Sequence, residues 1–465
     1  GCAADPDGSA PAEAAATLQV VPEDVANATR ELQRQIQTAN RAYEIIESVT
    51  VEVGPRLAGS EGDRRAVAWA EAKLRDLGFA NVRTEPVTVP HWERGHAIAQ
   101  TVSPYPQPMV VAALGGSVGT PAGGIEAEVV RVTSLDELAT LDRAAVARRI
   151  VFIDEEMERT ATGAGYGPAV AKRVGGAVAA AEKGAVAVII RSVGTSINRI
   201  AHTGTMRYSD EVERIPAAAL SNPDADVLAA QIALGEPVVF RLDLGCEYFG
   251  EKESANVIGE IVGAEYPDEI VLVVAHLDSW DLGTGAIDDG SGIGIVTEAA
   301  RQIGLLSMTP KRTVRVLLTA NEEFGLSGAR AYAERYELDM ASHVGAVEAD
   351  FGADHVISFR SWVADSDLPL IQDIATLLEP LDVPYDGNTG RGGADLIPLR
   401  PLGVPVFDLS QDGTKYFDTH HTINDTLDRI DPEGLTHNVA AYATLAWVLA
   451  AVEPGLERAP EPPAR

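Results

Sequence analysis

Cysteine is almost missing from this chain. Cys2 and Cys246 are the only two in 465 residues, too few to frame a disulfide-stapled fold. Positive charge is scarce as well: 37 Lys and Arg stand against 69 Asp and Glu, a formal net charge of −32. That balance argues against a nucleic-acid partner or an anionic membrane surface. No apolar run reaches the roughly 18 residues that cross a bilayer. The longest, VAAYATLAWVLAAV at 439–452, reads as a buried C-terminal helix. There is no phosphate-binding P-loop, and Gly290, Gly292 and Gly294 make a poor dinucleotide fingerprint because the third interval is absent. What is present is a 46% hydrophobic composition with mean hydropathy of +0.01. The chain reads as globular and long enough for two or three domains.

Taken in order, residues 1–20 read as a disordered tether. Cys2, followed by an Ala/Pro/Asp/Ser-rich stretch, resembles the end of a bacterial lipoprotein signal. The expectation is a lipid anchor at Cys2 and a secreted, periplasmic or cell-envelope location. Helical patterns cover 27–53 and 60–77, the second with Ser60 as N-cap and Gly78 as its stop. Residues 81–89 alternate as a strand. The HWERG motif at 91–95 follows as a loop or strand end, with His91 read as structural. From 115 to 245 the texture shifts to short strands alternating with Ala-rich helices, many glycines and no cluster of His and carboxylate. This reads as an inserted domain. Residues 21–114 and 246–456 would then form one catalytic domain, and 457–465 a C-terminal tail.

The chemistry starts at VLVVA, 271–275. An unbroken apolar run of this kind is the mark of a parallel strand buried on both faces. It ends in His276 and Asp278, which share one side of the extended chain. Asp288 and Asp289 follow in DDGSG before an apparent helix. The strand at 313–319 leads to Glu322 and Glu323, the strand at 344–349 to Asp350, and the last loop carries His420 and His421. Side chains at the C-terminal ends of strands in an open sheet sit where such folds place their chemistry. Mixed His and carboxylate ligands suit zinc. A pair of zinc ions needs a shared carboxylate, and Asp288 is the candidate bridge. His276 and Asp350 could complete one ion's set, Glu323 and His421 the other's. Glu322 adjoins a ligand without being needed as one, which suits a general base. Asp278 could accept the other ring N–H of His276. His421 is preferred to His420 because it opens the His-Thr-x-x-Asp-Thr run.

Taken singly, each of these residues has a bland reading: a structural histidine, a solvated Glu pair, a turn. Their joint placement at strand and loop ends is what carries the assignment. GGSVG at 115–119 matches a nucleophile elbow but runs into a turn at Thr120 and Pro121, so a serine hydrolase is set aside.

The set His276-x-Asp278, Asp288-Asp289-Gly-Ser-Gly, Glu322-Glu323, Asp350 and His421-Thr-x-x-Asp-Thr resembles the co-catalytic zinc aminopeptidase family. HWERG at 91–95, IRSV at 190–193, HTG at 202–204, AHLDSW at 275–280 and PKRT at 310–313 add to the resemblance, which spans about 25–455. It implies an α/β fold: a phosphorylase/hydrolase-like zinc exopeptidase sandwich with a mixed sheet, interrupted by a protease-associated α/β insert. It implies two Zn2+ per chain, with Asp288 bridging and Glu322 as base. It also implies hydrolysis of dipeptides or short peptides with free termini, and a homodimer. Two other classes remain open: a glutaminyl-cyclase-like acyltransferase with one zinc, and a receptor-like relative with a decayed site. Arg391 could hold a free carboxylate, and the site carboxylates a free amine, so the recognised terminus is left open.

Overall fold

The computed structural model of the protein describes residues 18–462; the tether and Cys2 lie outside them. The seven-stranded sheet runs, edge to edge, Ala80–Glu93, Glu247–Ile261, Arg312–Thr319, Tyr266–His276, His343–Glu348, Val406–Gln411 and Val356–Trp362. Pairing is parallel among the four inner strands from Arg312–Thr319 to Val406–Gln411 and antiparallel outside them. The sheet is therefore mixed.

The apolar run of Tyr266–His276 is buried on both faces, and its residues divide by parity. Val271, Val273 and Ala275 pack into the core that holds the helices Ser291–Gly304 and Pro432–Ala451. Ile270, Leu272 and Val274 pack on the other face with Tyr332, Leu396 and Leu399. Each such side chain, fully buried, contributes about 1.5–3 kcal/mol. The parallel register then sets the site. His276 lies level with Thr319, and Val274 with Glu348. The next few residues of the three strands, 276–278, 320–323 and 349–350, emerge side by side at one sheet edge.

The N-terminal helical pattern is split. Glu23–Ala39 ends at Asn40, whose backbone is extended (φ −75°, ψ 129°). The Asn40 side chain accepts the Ala42 N–H at 2.8 Å, a local cap that starts a new helix, Ala42–Ser48. The helix Glu61–Asp76 begins as its sequence predicts, with Ser60 Oγ accepting the Asp63 N–H at 3.2 Å.

A second, eight-stranded sheet takes all its strands from residues 97–244. It begins earlier than the change of texture at 115. Ala97–Ser103 alternates exposed and buried residues and pairs antiparallel with Val239–Leu244. The two ends of the stretch are thus hydrogen-bonded to each other, and Gln107–Met109 and Val111–Ala113 complete the two edges. Ser117 of the GGSVG motif is buried there, its hydroxyl donating to Val118 O (2.8 Å) and accepting from Ala217 N (2.9 Å). It is committed to the backbone, not to catalysis.

Candidate metal centre

Asp288 sits at the meeting point. Its Oδ1 is 3.0 Å from His276 Nε2, and its Oδ2 is 3.2 Å from His421 Nε2. His276 Nε2 is also 3.3 Å from Asp350 Oδ1, and His421 Nε2 is 3.0 Å from Glu323 Oε2. Five side chains from five separate stretches of sequence thus form one chain of contacts with Asp288 at its centre. His420, set second to His421 on sequence, stays close: its ring stacks on His421 at 3.5 Å and its Nε2 is 3.6 Å from Asp288 Oδ2. The potential ligand atoms of Asp288, His420 and His421 lie within 4.8 Å of one another, as do those of His276, Asp288 and Asp350.

The parts are held from the backbone. Asp289 accepts the N–H of His276 (3.1 Å) and of Gly292 (2.9 Å), tying the strand end to the first turn of the helix. Gly292 is required there: a Cβ would stand 2.0 Å from Ala349 O and 2.3 Å from the Asp289 carboxylate. Asp425 accepts the N–H of Ile287 (2.6 Å) and Asp288 (3.2 Å). Arg56, fully buried, donates to the carbonyls of Leu277 (2.6 Å), Thr284 (2.8 Å) and Gly285 (2.8 Å). It straps both ends of the loop that leads to Asp288.

Asp278 does something different from what the strand alternation suggests. His276 Nδ1 lies 3.1 Å from the Asp278 carbonyl oxygen and 3.5 Å from its carboxylate. The carboxylate accepts the backbone N–H of Glu322 (2.9 Å) and Glu323 (3.4 Å). The strand ends at His276, so the chain turns and aims Asp278 at the neighbouring loop. It positions the Glu pair more than the imidazole. Trp280 donates its Nε1–H to Glu323 Oε2 at 2.6 Å.

Electrostatics show what the cluster lacks. Burial pushes the carboxyls of Glu322, Asp289 and Glu348 well above the usual carboxylate range, and nearby carboxylates add to the push. Burial also lifts Asp425 and Asp395 to about 7. Against burial, the Glu323 and Asp288 carboxylates raise His421 to about 9. Asp288 itself is held well below its ordinary value, because the His276 and His421 hydrogen bonds outweigh its burial. So many buried carboxylates cannot all ionise beside so few cations. Among the described residues Glu323 Oε1 and His420 Nδ1 are buried without a hydrogen-bond partner. Divalent ions answer both the charge excess and the donor set, and imidazole with carboxylate fits zinc.

Glu322 and the five expected ligand residues are all gathered here. Sequence reasoning missed Arg56, Trp280 and the supporting part of Asp289. Arg56 acts on main-chain carbonyls more than 200 positions away, which leaves no local pattern. Trp280 was visible inside AHLDSW, but only as a phrase.

Comparison with known proteins was made on this geometry. The profile of peptidase family M28 matches residues 256–446. Carboxypeptidase Q of Mus musculus is 37% identical over 436 residues, covering 94% of this chain and 91% of that protein. The crystal structure of a peptidase M28 precursor from Shewanella amazonensis SB2B is 51% identical, with a TM-score of 0.93, covering 95% of this chain and 100% of that one. BSAP, a zinc aminopeptidase from Bacillus subtilis, shares the fold at 20% identity, with a TM-score of 0.65 over 89% of this chain and 95% of its own.

Proposed function

The chain belongs to peptidase family M28 and is a zinc metallo-exopeptidase, and we propose that its reaction is carried by the cluster around Asp288, on dipeptides or short peptides with free termini. The observation that carries this reading is the Asp288 carboxylate, with one oxygen toward His276 and the other toward His421. His276 and Asp350 would hold one zinc, Glu323 and His421 a second, and Asp288 both. His420 adjoins the second position. When bound, the ions polarise the scissile carbonyl and acidify a water.

The chain's own residues supply the rest. Glu322 is held in place by its backbone N–H on Asp278. It takes the proton of the attacking water and returns it to the leaving amine. The Trp280 N–H on Glu323 and the Asp425 grip on the Ile287–Asp288 backbone keep the ligands oriented before substrate arrives. A cavity of about 220 Å³ beside Asp350, lined by Glu348, Gly392, Gly393 and Phe407, offers room for one small side chain, in keeping with short substrates.

The eight-stranded layer is assigned as a protease-associated insert, on the grounds that all its strands lie within one continuous stretch. A homodimer, a location outside the cytoplasm and a lipid at Cys2 complete the proposal. Mass spectrometry of the native protein tests the last, since an unmodified thiol removes it.

The deciding experiment is Glu322→Gln. Turnover of a dipeptide should fall by about 10²–10⁴-fold while metal analysis still finds two zincs per chain. Undiminished turnover would remove Glu322 as the base. A single zinc per chain with a cyclised product would move the protein to the acyltransferase class instead.

A further inference from the structure

The metal centre has unequal support on its two sides. Among the described residues, the hydrogen bonds to His276, Asp288 and Asp350 come from the seven-stranded layer and its loops. The His421 and Glu323 side leans on residues 202–205, which belong to the eight-stranded layer.

Four contacts make this connection. Thr203 N donates to His421 O at 3.0 Å, and Thr203 O lies 3.2 Å from His421 Nδ1. A proton on Nδ1 that points to this carbonyl leaves Nε2 free to face Asp288 and Glu323. His202 Nδ1 lies 2.7 Å from His420 O. Thr205 donates its hydroxyl to Glu323 O at 2.7 Å. His421 has a left-handed backbone, φ 60°, which a non-glycine residue keeps only under constraint from its surroundings. Thr203 supplies that constraint from across the layer boundary.

Residues 202–205 are themselves pinned. Thr203 is fully buried, and its hydroxyl donates to Ala113 O at 2.8 Å. Arg94, from the HWERG motif, donates to the same hydroxyl at 3.0 Å and also to Ala113 O. The remaining guanidinium nitrogens hold the Asp281 carboxylate at 2.9 Å. Asp281 is next to Trp280, the donor to Glu323. Gly115 lets Trp280 lie flat against this seam, since a Cβ there would stand 2.0 Å from the ring. Two sequence motifs with no part in the chemistry, HWERG and HTG, therefore meet at one hydroxyl.

We propose that Arg94, Thr203 and Thr205 are positioning residues for the His421 and Glu323 side of the centre alone, so that the eight-stranded layer sets the affinity of one metal position and leaves the other to the sheet. This rests on the two-ion reading above. The experiment is zinc titration of metal-stripped full-length protein by calorimetry, comparing wild type with Thr203→Val, which keeps the shape and removes the hydroxyl. Wild type should bind two equivalents. In Thr203→Val one equivalent should weaken by about 10–100-fold, the range for residues that orient metal ligands, and the other should keep its affinity. Thr203→Ser should restore both. Far-ultraviolet circular dichroism and the melting of the stripped proteins check the fold, and Thr205→Val serves as a second variant, with the same expectation. Two unchanged affinities in both valine variants, or equal weakening of both positions, would overturn the proposal. A wild type that takes up a single zinc would instead overturn the two-ion reading itself, whatever the variants do.

Discussion

His343 shows how a single side chain far from the centre ties stability to acidity. It opens the strand His343–Glu348, is buried, and has Tyr332 Oη 2.7 Å from its Nε2. Burial, with Arg315 nearby, lowers its pKa from 6.5 to about 4. A histidine whose folded pKa is depressed stabilises the fold fully above its unfolded pKa, and that contribution is lost as pH falls through the folded one. The window is therefore from about 6.5 down to 4, and the loss is on the order of 3 kcal/mol. Urea unfolding of His343→Asn across this window should show a shallower decline than wild type; parallel curves would remove His343 from the acid response. The same scale shows what a sequence can reveal. His276, Asp288, Glu322, Asp350 and His421 were legible because each follows an apolar strand or opens a dense polar run. Asp278 was legible as a participant but not in its duty, because the strand alternation that aims it stops one residue too soon.

At the scale of elements, the loop from Leu277 to Gly285 depends on Arg56. Three carbonyls accept from this one buried guanidinium, and Asp425, Asp278, Asp289 and Asp288 surround it. Removing a buried cation from such a setting leaves both charge and carbonyls unanswered. Arg56→Met should lower unfolding stability by about 3–5 kcal/mol, read by urea denaturation. The amides of Ile287 and Asp288 should also lose hydrogen-exchange protection, since their Asp425 acceptor loses its counter-charge; unchanged protection would show that the loop stands without the strap. Buried parallel strands were legible as continuous apolar runs, and the Ser60 cap as a start signal. The break at Asn40 was not, because the apolar period continues across it and only a side-chain bond to Ala42 N redirects the chain. Ala97–Ser103 was misplaced for a related reason: its partner, Val239–Leu244, lies far along the sequence, and local pattern says nothing of distant pairing.

For the molecule as a whole, the buried carboxylates make folding and metal binding one equilibrium. Zinc at about 1,000 times its dissociation constant should add about 4 kcal/mol per bound site, seen as a rise in melting temperature that a chelator reverses. A melting temperature indifferent to chelation would mean the carboxylates are reconciled by protons alone. The catalytic layer was largely readable from sequence. The contact between layers was not, since it consists of backbone bonds such as Thr203 N to His421 O. That contact bears on protein engineering. An eight-stranded layer transplanted from another peptidase would bring its own rendering of 202–205, and the host's paired histidines would have to bend to an unfamiliar backbone. The two layers therefore cannot be exchanged like cartridges, and a chimera should carry its donor's 412–426 loop along with the graft.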